Sequence, residues 1–178
     1  MDTRVKWTAA IAVGLLIAGI SAAAAYWMIG RAEKEHQLRC QDNLRQIELA
    51  ATLYASDYGG PFGPGFDVLL QKELISAEAL QCPSDRTSGT QEVAGHKCSY
   101  IWLGRNLNSK KSEPTCVLAY EPISNHGSRS NFLFVGGAVA VPVEAETAKA
   151  AIKELEQGRN PPQISSPQWN EVTSYLLR

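Results

Sequence analysis

The chain has 178 residues, with 17 Lys and Arg against 18 Asp and Glu and a formal charge of −1, so it has no net basic field to draw in nucleic acid. Its 44% apolar and 20% charged residues argue against wholesale disorder, and the length suits one domain. The charge is unevenly placed: Trp7 to Gly30 carries none, and residues 31–178 hold every ionised group except Asp2, Arg4 and Lys6. The sequence reads as a folded domain behind a hydrophobic leader.

The leader runs for 24 uncharged residues, which as a helix span roughly 36 Å against a hydrocarbon core of about 30 Å. A transmembrane anchor over residues 1–30 is therefore favoured. The alternative is a cleaved signal peptide, for which Ser21 to Ala25 supplies small residues at a suitable distance from the basic start. Trp7 and the Tyr26, Trp27 pair sit near the two ends, as an aromatic belt would. Counted literally, the basic residues point against export, since Arg31, Lys34, Arg39 and Arg45 follow the segment and only Arg4 and Lys6 precede it, but Glu33 and Glu35 interleave with those that follow. The C-terminal domain is accordingly placed outside the cytoplasm.

From Ala32 to Tyr58 there is no Gly or Pro, and Cys40, Leu44, Ile47, Ala51, Tyr54 and Tyr58 recur at spacings of 4, 3, 4, 3 and 4. This is one apolar stripe on a helix over 32–58, which Gly59, Gly60 and Pro61 end. Short helical turns are expected at 67–75 and 76–80, before Cys82, Pro83, Ser84 and Asp85 force a turn. A polar loop then runs from Arg86 to Lys97. Strands are expected at 98–103, 115–120, 131–135 and 138–143, the last two joined through Gly136 and Gly137 as a hairpin. A helix marked by Ala148, Ile152 and Leu155 should stop at Gly158. Another should begin with Ser166 as N-cap and Pro167 at its first position, burying Trp169, Val172 and Leu176.

Four separated signatures carry a family resemblance. The run from Cys40 through Asn43, Leu44 and Gln46 to Ile47 resembles the C-x-x-N-L-[KR]-Q-I helix of bacterial pilin-like proteins with the H-x9-DG motif. Cys82, Pro83, Ser84 and Asp85 resemble their C-P-S-D turn, Ser99-Tyr100 resembles the S-Y that begins the sheet, and nine residues separate His126 from Gly136-Gly137. The resemblance covers about residues 7 to 143. It implies an α+β, pilin-like fold: a long N-terminal helix, half in the bacterial inner membrane and half packed on a small antiparallel sheet. The domain would be periplasmic, spanning 31–143 with its sheet at 98–143, and followed by a helical extension at 144–178. The partners implied are the membrane and other pilin-like or secretion-system subunits.

Two features depart from the family pattern. No Gly before the hydrophobic segment is followed, five positions on, by the Glu that a prepilin peptidase site needs; Gly30 has Glu35, but the apolar run already lies behind it. The motif Asp is replaced by Gly136, leaving only the backbone freedom of the Gly pair. His126, flanked by Asn125 and Gly127, is then read as a loop histidine bonding backbone, and His36 and His96 as solvated.

The four cysteines lack any C-x-x-C spacing, which argues against a zinc knuckle or a thioredoxin-type site. Three disulfide connectivities satisfy four cysteines. The pairing of Cys82 with Cys98 across the polar loop is favoured, leaving Cys40 and Cys116 as a second bridge or two buried thiols. No histidine stands at metal-ligand spacing with a carboxylate, so no metal or cofactor is expected. Catalytic motifs are missing, the acidic residues Asp67, Asp85, Glu113 and Glu121 are scattered, and a nucleophilic Cys116 with His126 as base is disfavoured for a thiol in an apolar strand. The sequence thus reads as a non-catalytic, membrane-anchored pilin-like structural subunit of a type II secretion or type IV pilus-like assembly. The alternative is an exported binding or assembly module of that fold that is neither processed nor polymerised.

Overall fold

A computed structural model describes residues 3–85, 89–137 and 141–177, with side chains from Gly14 onward and Val141 excepted. The side chains of Arg4, Lys6 and Trp7, residue Arg86 of the expected loop, and residues 138–140 of the expected last strand lie outside the described residues. The protein is α+β. Helix α1 (Thr3–Asp57) is followed by α2 (Phe66–Gln71), a 3-10 turn (Ala77–Leu80), β1 (Gln91–Val93), β2 (His96–Cys98), β3 (Ile101–Trp102), β4 (Val117–Tyr120), β5 (Arg129–Phe134), β6 (Val141–Glu144), α3 (Ala145–Glu156) and α4 (Pro167–Leu176).

Two structural units divide the chain, residues 1–35 and 36–178. In the first, the described side chains are almost all exposed, including Leu15, Leu16, Ile17, Ile20 and Ile29. The helix from Gly14 onward is long and apolar enough to cross a membrane.

In the second unit β3, β4, β5 and β6 form an antiparallel sheet in that order, and β1 and β2 form a separate hairpin. Along β5 the alternation of a strand divides two cores: Leu133 faces one, Phe132 and Phe134 the other. The first core is built by the α1 stripe. Cys40, Leu44, Ile47 and Ala51 are fully buried there with Leu118, Ala119 and Tyr100. On the opposite face Val117, Tyr120, Phe132 and Phe134 pack with Ala148, Ala151 and Leu155 of α3 and Trp169 and Val172 of α4. Trp169 stands edge-on to Phe132, with ring centroids 5.3 Å apart. An irregularity in the β4–β5 register between Val117 and Ala119 lets Leu118 and Ala119 both join the α1 core. With helices on both faces, β4 is buried at every position.

Several boundaries differ from the sequence reading. Residues Gln91–Lys97, expected in a loop, form with Cys98 a hairpin whose turn places Ala94 (φ 50°) and Gly95 (φ 82°) in the left-handed region. The expected strand 98–103 is consequently split: Cys98 ends β2, and only Ile101 and Trp102 pair with β4. Among the described residues β5 and β6 pair as far as Phe132 opposite Val141, a register in keeping with the hairpin expected through Gly136 and Gly137. The Gly136 amide donates to Pro114 O at 2.9 Å. Tyr58 lies past the end of the buried stripe and is exposed, stacked on Tyr54 at 4.3 Å. As expected, Ser166 caps α4 by accepting from the Trp169 amide, with Pro167 at its start.

Candidate functional site: two thiols, a carboxylate and an imidazole

Helix α1 places Cys40 and Asn43 three residues apart on one face, toward the turn at 81–85. Asn43 Nδ2 donates to Gln81 O at 2.8 Å and to the Tyr100 hydroxyl at 3.3 Å. From the other side the Ser99 hydroxyl accepts from the Cys82 amide at 3.0 Å, and the Ser99 amide donates to Leu80 O at 2.8 Å. Ser84 closes the turn against His36, whose Nδ1 lies 3.1 Å from the Ser84 hydroxyl, so His36 is half-buried rather than solvated. His96 is exposed, as expected. The three motifs at 40–47, 82–85 and 99–100 therefore converge on one place.

The turn delivers the Cys82 thiol to Cys40, and the segment after β4 brings two further groups. Glu121 follows the buried strand directly, with its residue fully buried, and its amide donates to Asn131 O at 2.9 Å. His126 ends the short 3-10 turn Ile123–Asn125. Its Nε2 lies 3.2 Å from Glu121 Oε1 and 3.5 Å from Cys82 Sγ, with both the imidazole and carboxylate side chains at 0% exposure. The ring thus meets two side chains at this nitrogen, contacts that the sequence reading of His126 does not include. Cys40, Cys82, Glu121 and His126 each offer one ligand atom, and these four atoms lie within 4.8 Å of one another.

Around them is a shell of amides. Asn131 Nδ2 donates to Glu121 Oε2 at 2.6 Å, and Asn125 Nδ2 donates to Glu121 Oε1 at 3.2 Å and to Ser99 O at 3.3 Å. Ser130 Oγ donates to the Glu121 carbonyl. Burial would push the Glu121 carboxyl up, but hydrogen bonds and electrostatic attraction from His126, with Cys82 and Asn131, outweigh it and hold the carboxyl below its ordinary value. The neighbouring Cys40 thiol, and then burial, push the Cys82 thiol far above the ordinary thiol range. Cys82 beside His126 thus lacks the depressed pKa that marks an activated thiol.

The other sequence-marked residues fall elsewhere. Leu44 and Ile47 are core, Gln46 and Pro83 are exposed, and Asp85 turns back so that its amide donates to Cys82 O at 3.0 Å. Gly136 and Gly137 are exposed and lie against Pro114 and Glu48. The expected bridge between Cys82 and Cys98 is not formed: all four cysteines are free thiols. Cys82 faces Cys40 and His126, whereas Cys98 Sγ donates to Tyr100 O at 3.4 Å. Cys116 does not meet His126 either; its thiol donates to Asn160 O at 3.7 Å.

Sequence spacing predicted no ligand set, because the four groups come from positions 40, 82, 121 and 126 and only the fold unites them. In the sequence Glu121 is one of several scattered acids. Its local signal is an acidic residue that ends a strand with no exposed position, where a charge is retained only with partners. Comparison of the chain with family models, curated proteins and solved structures finds no match.

Proposed function

We propose that the protein is a membrane-anchored, pilin-like structural subunit of a type II secretion or type IV pilus-like envelope assembly. In this reading a single pass holds it in the bacterial inner membrane, its folded domain is periplasmic, and it has no catalytic role. The observation that carries the proposal is the use of α1: an exposed apolar stretch before Glu35, then a buried stripe from Cys40 to Ala55 that organises a small antiparallel sheet. Three exposed leucines opposite the core support assembly. Leu38, Leu49 and Leu53 are 59%, 62% and 46% exposed. They lie about 160–220° around the helix from Cys40, on a side that the core leaves free and that they share with the exposed Asp42.

The test is fractionation, terminal mass and cross-linking of the full chain in membranes. The proposal expects membrane retention after alkaline extraction, and cross-linked multimers that Leu49→Asp removes without changing thermal unfolding. A soluble form beginning near Ala25 would overturn the anchor. The missing prepilin peptidase signature around Gly14, Gly19 and Gly30 favours a second reading, an exported anchored module that does not polymerise. Membrane-retained protein that yields only monomer on cross-linking would select it.

A further inference from the structure

We propose that Cys40, Cys82, Glu121 and His126 form a four-coordinate site for a thiophilic divalent cation of the zinc type, which ties α1 to the turn at 81–85 and to the segment after β4. The proposal rests on the donor set, its spacing and its supporting shell, and is independent of whether the chain assembles.

Two sulfurs, one imidazole nitrogen and one carboxylate oxygen are ligand types that zinc accepts in tetrahedral array. Bonds of about 2.0–2.3 Å in a tetrahedron place ligand atoms roughly 3.3–3.8 Å apart. The observed separations of 3.2 Å from His126 Nε2 to Glu121 Oε1 and 3.5 Å from His126 Nε2 to Cys82 Sγ are close to such edges. A cation between these atoms would be shared by the imidazole, the carboxylate and both sulfurs.

The surroundings fit the same role. Asn125 and Asn131 hold the Glu121 carboxylate through both oxygens, the kind of outer contact that orients a ligating carboxylate. Asn43 and Ser99 fix the turn that carries Cys82. A surface depression of about 590 Å³ lined by Asn43, Gln81, Cys82 and Pro83 gives an access route from solvent. Binding would release the two thiol protons and leave Cys40 and Cys82 as thiolates, so affinity rises with pH. Cys98 and Cys116 take no part.

The test uses the full chain in detergent, reduced and purified without chelator, then titrated with Zn²⁺ and with Co²⁺. The expected results are one bound ion per chain and a sulfur-to-cobalt charge-transfer band. Mass mapping of alkylated protein should show Cys40 and Cys82 protected while Zn²⁺ is bound and modified after chelation. Cys98→Ser and Cys116→Ser should keep the band, Cys40→Ser and Cys82→Ser should lose it, and Glu121→Gln should weaken affinity by roughly ten- to a hundredfold. If the cysteine variants fail to fold, the band and the protection pattern of the unaltered chain decide alone. Absence of the band, zinc bound without protection of both thiols, or a Cys40–Cys82 disulfide in the protein as isolated from membranes would each overturn the proposal.

Discussion

Glu121 and Asn131 are joined twice: the Glu121 amide donates to the Asn131 carbonyl at 2.9 Å, and Asn131 Nδ2 donates to the Glu121 carboxylate at 2.6 Å. Asn131 gives its NH₂ group at a cost, since its Oδ1 is buried without a hydrogen-bond partner among the described residues. The arrangement stabilises a carboxylate as an acceptor in the interior. Asn131→Leu should destabilise by about 1–3 kcal/mol, because it removes the shortest donor to a buried charge. Thermal unfolding checks this, and in a Glu121→Gln background the same change should cost less.

The two faces of α1 make opposite predictions. Leu44 is fully buried, so Leu44→Asp sets an unpaired carboxylate in an apolar core and should cost at least about 3 kcal/mol. Leu53 is 46% exposed, and Leu53→Asp should change stability by no more than about 0.5 kcal/mol. Unfolding of the full chain in detergent compares them, and an unchanged melting temperature for Leu44→Asp would remove the core assignment of the stripe.

Gly136 stands where the resembling family has Asp, and the packing here opposes that residue. A Cβ at Gly136 would lie 2.9 Å from Pro114 Cβ and 3.2 Å from its carbonyl oxygen, so the backbone at Pro114 would have to shift. Gly136→Asp should therefore destabilise by about 1–3 kcal/mol. Equal or greater stability on denaturant unfolding would show that this loop accepts the family residue.

How far these features could be read from the chain depends on whether they are local. The α1 stripe was legible because Cys40, Leu44, Ile47 and Ala51 follow the helical period without a Gly or Pro break, and Ser166-Pro167 is a local start signal. The β1–β2 hairpin was not, since Gln91–Val93 and His96–Cys98 carry too little apolar patterning. The covering of the second sheet face by α3 and α4 was hidden too: Ala148 and Trp169 announce helices, but not the strands they meet. Least legible was the cluster itself. Cys40, Cys82 and His126 stood out singly, yet spacing along the chain does not encode a meeting of four residues from four segments.

The two cysteines that take no part in the cluster sharpen the chemistry of those that do. Cys98 is fully buried, its thiol donates to Tyr100 O at 3.4 Å, and burial pushes its pKa up to about 11. At pH 8 about one part in a thousand of such a thiol is the reactive thiolate. Alkylation of Cys98 in the folded chain should therefore be far slower than in the denatured chain, and should accelerate with denaturant in step with unfolding. Cys116, 5% exposed and bonded to Asn160 O, should behave similarly but react first as α4 and its preceding loop loosen. Time-resolved mass mapping gives the order. Rapid native labelling of Cys98 would displace it from the core, and recovery of Cys98 joined to Cys82 would restore the disulfide expected from the loop between them and withdraw Cys82 from its place beside Cys40 and His126.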